Sequence, residues 1–255
     1  MHWTWVCLSG LWTGQDDIQF GTVMILGLVF DKDGTLFDFK TTWNAWSAGL
    51  IRRFSNGDAE REAALAEAAH FDLARQSFLP SSPIIAGTNR EAAEIFASVV
   101  TEHSVEELED ILMNATLDAP QEEVVPLADY FADLQARGFK TGVVTNDTEA
   151  GAIAHLRQAR ATKHLDFIAG FDSGYGAKPA PDPLLAFATR VGLAPAQVAM
   201  VGDSTHDLVS AKHAGMYRIG VLTGMADYDD LAPYADVVLP HIGHILAHLE
   251  NIQND

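Results

Sequence analysis

Six short apolar runs, rich in β-branched residues and closed by turn residues, dominate what this chain can fold into. They are MILGLVF (24–30), KTGVVT (140–145), FIAGF (167–171), VAMVG (198–202), RIGVL (218–222) and DVVLP (236–240). Near-continuous apolar runs of this length suit parallel strands buried on both faces. Helical patterns over 126–137, 148–160, 181–191, 204–214 and 243–250 lie between them. Strand alternating with helix predicts an α/β fold with a doubly wound parallel sheet.

Residues 40–122 break the alternation. They are rich in Ala and Glu, with amphipathic stretches such as DAEREAALAEAAHFDLARQSF, and no run there reads as a strand. LPSSPIIAGTN (79–89) reads as a loop between helices. The expected organisation is a core of 24–39 and 123–255, with 40–122 inserted as an α-helical cap domain between the first and second strands. An insertion of that size is a subdomain rather than a turn. Residues 1–23 contain no Lys or Arg and no clear periodicity. They are expected to be an N-terminal extension, either disordered or preceding a translation start at Met24.

Composition narrows the function. Of 255 residues 48% are hydrophobic, enough for a packed core, and the formal charge is −19. That charge disfavours nucleic-acid backbone and anionic membrane, which call for clustered Lys and Arg. The single cysteine, Cys7, allows neither an intrachain disulfide nor a cysteine metal site. No segment reaches the roughly 20 apolar residues that span a bilayer. A cytoplasmic location is expected, and the choice between monomer and homodimer stays open.

The chemistry sits where the strands end. In open α/β sheets ligands bind beyond the carboxyl ends of the strands. The first run ends in Asp31-Lys32-Asp33-Gly34-Thr35 and the second in Thr145-Asn146. Lys178 lies in GYGAKPAPDP after the third; the fourth ends in Gly202-Asp203-Ser204, with Asp207 four residues beyond Asp203. Two unit charges about 4 Å apart repel by roughly 4 kcal/mol at an effective dielectric near 20. Four converging carboxylates therefore require cations. Lys178 is one, and an all-oxygen ligand set favours a hard ion such as Mg²⁺. The set fits phosphoryl transfer: one carboxylate attacks phosphorus, a second handles the leaving oxygen and then water, and hydroxyl, amide and ammonium groups hold the phosphoryl oxygens. Taken singly, each motif has a plainer reading as a polar turn, a helix N-cap or a first-turn acid.

Together, DKDGT, VVTN, KPAPDP and GDSTHDLVSAKHAG resemble, in order, the four motifs of the haloacid dehalogenase-like hydrolases, and most closely the phosphoglycolate phosphatase-like branch with a helical cap. The resemblance covers about residues 24–240. It implies a Rossmann-like core and a Mg²⁺-dependent phosphatase acting on a small phosphorylated metabolite through an aspartyl-phosphate. Carried over residue by residue, it makes Asp31 the nucleophile, Asp33 the general acid and base, and Lys178 the stabilising cation. Thr145 and Asn146 would bind the phosphoryl group. Asp31, the backbone carbonyl of Asp33, and Asp203 would ligate the metal, with Asp207 in support, while Thr35 orders the loop and helps position Asp33. A carboxyl at 33 favours phosphatase over dehalogenase. Lys32 departs from the aromatic residue common at its place, and is read as added positive charge near the site.

Two alternatives stay open: a phosphomutase of the β-phosphoglucomutase type and a non-catalytic phospho-acceptor. Within the insertion, 79–90 is the expected specificity loop, with Arg90 as an anion contact. Trp43 and Trp46 read first as packing. His206 sits at a variable place in the fourth motif, and His241, His244 and His248 read as a partly exposed histidine face rather than a metal site.

Overall fold

In β1 (Gly27–Phe30) every residue is buried, and alternate side chains serve opposite layers. The computed structural model describes residues 24–85, 87–117 and 121–254; the expectations for residues 1–23, Cys7 included, lie outside them. Leu28 and Phe30 enter one apolar layer, with Val143, Val201 and Ile219 beneath Leu127, Phe131, Ile245 and Leu249. Val29 enters the other, with Val144, Met200, Leu184 and Phe187. Each such fully buried side chain contributes roughly 1.5–3 kcal/mol. The period of two along a strand thus explains why the run is apolar throughout.

The sheet has six strands, all parallel, in the order β5-β4-β1-β6-β7-β8. The others are β4 (Lys140–Val144), β5 (Phe167–Ala169), β6 (Val198–Gly202), β7 (Tyr217–Val221) and β8 (Val237–Leu239). Helices α5 (Leu127–Ala136), α6 (Glu149–Gln158), α7 (Asp182–Val191), α8 (Thr205–Ala214), α9 (Tyr228–Leu231) and α10 (Ile245–Asn254) complete this part. The central strand β1 lies between β4 and β6, so the chain departs from it toward both edges. That switch point leaves a crevice at the carboxyl rim.

Between β1 and β4 the chain builds α1 (Ala45–Ser55), α2 (Ala59–Ala68), α3 (Asn89–Ala97) and α4 (Val105–Leu117) around a separate apolar cluster that includes Phe39, Trp46, Ile51, Phe96 and Leu112. Asp58 caps α2 through the amides of Glu60 and Arg61, and Thr88 and Glu91 form a reciprocal cap on α3. One expectation is corrected: the insertion does contain strands, β2 (Phe71–Asp72) and β3 (Ser77–Phe78), paired antiparallel. Two residues are too few to show an alternating pattern. The ribbon is held instead by the Phe71–Phe78 ring contact, centroids 5.3 Å apart. Both tethers of the insertion run side by side, Asp38 N donating to Glu122 O at 2.8 Å and Val124 N to Leu36 O at 3.0 Å. Among the described residues no helix is long and apolar enough to cross a membrane.

Candidate active site

The loops that follow β1, β4, β5 and β6 meet at one cleft between the sheet rim and the insertion. Asp31, Asp33, Thr145, Asn146, Lys178, Asp203 and Asp207 all line it. Asp31 extends β1, Thr145 and Asn146 follow β4, and Asp203 follows β6. The motif residues far apart in sequence therefore meet because β4, β1 and β6 are neighbours.

At the centre the Lys178 ammonium donates to Asp31 Oδ1 and to Asp207 Oδ1, each at 2.6 Å. Asp31, Asp203 and Asp207 each place a carboxylate oxygen within 4.8 Å of the others, and all three residues are buried. Asp207 has a second duty. Its Oδ2 accepts from Ser204 Oγ at 2.7 Å and Ser204 N at 3.1 Å, the capping box that starts α8. The cap engages Oδ2 and leaves Oδ1 to Lys178, so the capping role does not compete with a place in the carboxylate cluster.

Burial, helped by repulsion from Asp207 and Asp33 and opposed by Lys178, pushes the Asp31 carboxyl up to about 7. Burial also raises Asp203 well above its ordinary value, with Asp31 and Asp207 adding to it. For Lys178, burial is outweighed by Asp207 and Asp31, which hold its charge above the usual range. One ammonium does not neutralise three carboxylates, and an oxygen-only donor set of this kind suits a hard divalent ion. The residues present fit such an ion.

The loops are fastened closely. Asn146 clamps the Lys178 backbone, its Nδ2 donating to Lys178 O and its Oδ1 accepting from Lys178 N, both at 2.9 Å. Its amide holds the lysine loop as well as lining the cleft. Thr145 Oγ1 accepts from Asp147 N at 3.1 Å. Thr35, expected to order the loop and help position Asp33, donates to Asp203 Oδ1 at 3.3 Å. Gly34 has φ +80°, and a Cβ there would lie 2.3 Å from Asp203 Oδ2. At Gly224 the same atom would lie 1.7 Å from a Cβ. Glycine at both places lets backbone close around the Asp203 carboxylate.

Lys32 is fully buried, and its ammonium contacts Asp33 Oδ1 at 2.9 Å, Asp33 Oδ2 at 2.8 Å, Asp147 Oδ2 at 3.1 Å and His155 Nδ1 at 3.0 Å. Burial works against this charge, but Asp33 and Asp147 outweigh it and raise its pKa. Lys32 is thus a matched internal cation that grips the Asp33 carboxylate rather than a free positive field. Sequence reading missed Asp147 and His155. The available signal was Lys32 itself, since a lysine locked between two strand-end acids needs further partners. Arg90 is corrected as an anion contact: its guanidinium is taken by Glu94, Glu106 and Glu109 at 3.3, 3.2 and 3.1 Å, and it is not among the residues lining the cleft. From the 79–90 loop, Ile84, Ile85, Gly87 and Thr88 do line it, with Asn89, and so do Trp43, Trp46 and His206.

The model of the haloacid dehalogenase-like hydrolases matches residues 25–215, three-quarters of the chain. The chain belongs to this family. A phosphoglycolate phosphatase from Escherichia coli (strain K12) is 35% identical over 133 residues, which is 49% of this chain and 52% of that protein. The chain therefore spans about half the length of the curated relatives it matches. Among solved structures, one from Bacteroides fragilis assigned as a haloacid dehalogenase-like hydrolase superposes with a TM-score of 0.67 at 19% identity, covering 87% of this chain and 99% of that one. The β-phosphoglucomutase of Clostridium difficile superposes at 0.59 with 16% identity, covering 91% and 100%. Likenesses at such identities establish the hydrolase-family fold alone.

Proposed function

We propose that the protein is a Mg²⁺-dependent phosphatase of small phosphorylated metabolites working through an aspartyl-phosphate on Asp31. The observation that carries this reading is the Lys178 ammonium wedged between Asp31 and Asp207, with Asp203 beside them, at the switch point of the sheet. Asp31 attacks phosphorus; the Asp31–phosphorus bond forms as the ester oxygen–phosphorus bond breaks. Asp33, held from beneath by Lys32, gives its proton to the leaving alkoxide. Asp33 then takes a proton from water, whose oxygen displaces Asp31 from phosphorus and releases phosphate. Lys178 steadies the charge on Asp31 and on the transferring group, and the Thr145 hydroxyl donates to a phosphoryl oxygen. Asp31, Asp203 and the Asp33 backbone carbonyl would hold Mg²⁺, with Asp207 behind them. When bound, the ion supplies charge neutralisation to the carboxylates and the phosphoryl oxygens. The 40–122 insertion serves as a cap domain that closes the cleft from water and selects the substrate.

A panel of phosphate monoesters assayed with and without Mg²⁺ tests this. The expected result is phosphate release that depends on the metal. Accumulation of a rearranged phosphate isomer would mean a mutase, and a lasting phospho-Asp31 without turnover would mean an acceptor domain.

A pH effect follows from the raised carboxyls. Between about pH 4 and 7 the native state keeps protons on Asp31 that the unfolded chain has released, so stability falls as pH rises through that window. Lys178 stays charged throughout and leaves the sign unchanged. Without divalent ion, the thermal midpoint is therefore expected to carry a penalty from this site at about pH 8 that is absent at about pH 5. Added Mg²⁺ is expected to raise the midpoint more at the higher pH, because protons compete for its ligands at the lower. An equal gain at both pH values would contradict the assignment.

A further inference from the structure

The cleft has two chemically different walls. The sheet wall carries five carboxylates, those of Asp31, Asp33, Asp147, Asp203 and Asp207, against one lining ammonium, Lys178. The wall opposite is mainly apolar, with Phe39, Trp43, Trp46, Ile84, Ile85 and Ala92, and its polar side chains, Thr88 and Asn89, are uncharged. Trp43 and Trp46 meet edge to face, centroids 5.0 Å apart and planes at 79°, and Phe39 lies 6.3 Å from Trp43. The Lys32 ammonium sits 5.8 Å from the centre of the Trp43 ring, which ties this wall to the residue between Asp31 and Asp33.

Two further observations characterise the insertion wall. The indole nitrogens of Trp43 and Trp46 are buried and have no hydrogen-bond partner among the described residues. Neither nitrogen has exposed surface, so it is the carbon atoms of the two rings that line the cleft. The insertion also withholds positive charge. Arg90 is consumed by three glutamates, and no Lys or Arg of the described insertion lines the cleft. A second anionic group on the substrate would meet no counter-charge there and would face the carboxylates opposite.

Building on the phosphatase reading, we infer that the substrate is the phosphate monoester of an uncharged alcohol bearing a flat aromatic group. Its ring packs against the rings of Trp43 and Trp46. The phosphoryl end carries the substrate's negative charge to Lys178 and the metal ligands, while the leaving group carries none. A carboxylate-bearing leaving group such as glycolate fits this wall poorly.

Benzyl phosphate, ethyl phosphate and 2-phosphoglycolate, whose leaving alkoxides have similar basicity, separate the possibilities. With Mg²⁺ present, kcat/KM for benzyl phosphate is expected to exceed that for the other two by roughly tenfold, the scale of an aromatic contact. Trp43→Ala is expected to collapse the benzyl-to-ethyl ratio, mainly through KM. A preference for 2-phosphoglycolate, or an unchanged ratio in the variant, would overturn the inference and leave the phosphatase reading standing. Non-reacting analogues decide independently of turnover. Benzylphosphonate titrated against the tryptophan fluorescence of the unaltered protein is expected to bind more tightly than phosphonoacetate, its carboxylate counterpart, and the reverse order would overturn the inference. If none of the three esters is hydrolysed, the phosphatase reading fails, and the phosphonate order still decides what the aromatic wall accepts.

Discussion

Asp31→Asn is expected to lower metal-dependent phosphate release by a factor on the order of 10⁴ to 10⁶, the scale seen when a covalent nucleophile is removed. The amide keeps the shape of the side chain but cannot displace an alkoxide from phosphorus. Stability is expected to move the other way. Burial and its acidic neighbours hold the Asp31 carboxyl near 7, so its ionised form costs the fold stability at neutral pH and above. Replacing it with a neutral group relieves that cost, and the thermal midpoint without metal is expected to hold or rise. An inactive but equally or more stable variant is the pattern of a site where stability was traded for chemistry. Single-turnover assays beside thermal unfolding check both halves. A variant that still turned over at a tenth of the original rate would remove Asp31 from the nucleophile's role.

Lys178→Met acts on the same cluster with the opposite sign for stability. It leaves Asp31, Asp203 and Asp207 without their central ammonium, and breaking a buried pair by deleting one partner typically costs about 3–5 kcal/mol. For a chain of this size that corresponds to a fall in midpoint of roughly 10 °C. Turnover is expected to drop by a further 10²–10³, the scale for losing one preorganised charge at a phosphoryl group. Because the strain comes from ionised carboxyls, lowering the pH toward about 5 is expected to return much of the stability. A variant unfolding at the original temperature at pH 8 would show that the lysine does not compensate these acids.

The sheet was legible in the sequence because its central strands are buried on both faces, which turns alternation into continuous apolar runs. Only strand ends drifted, as at 167–171 against Phe167–Ala169. The last helix reaches Asn254, past the expected 250, because Ile252 continues the face of Ile245 and Leu249 that packs on the core of the sheet. Asp31, Asp33, Asp203 and Asp207 could be picked out as motifs because each follows a strand or opens a helix, and Lys178 because it lies in the loop that joins β5 to α7. The Lys32 network could not, since Lys32 and His155 are 123 residues apart and meet only because α6 follows β4, the neighbour of β1. Arg90 misled for a related reason: Glu94 shares its helix, but Glu106 and Glu109 reach it from α4.

The paired tethers described above start almost on top of the acid. Gly34 N donates to Phe37 O at 2.7 Å, and the amides of Leu36 and Phe37 both return to Lys32 O. In mechanical terms the proposed hinge and the proposed proton donor share one tight knot of backbone. On the proposed cap reading, the angle of the roof and the aim of Asp33 form a single coordinate, which would couple admission of a substrate to readiness for its chemistry.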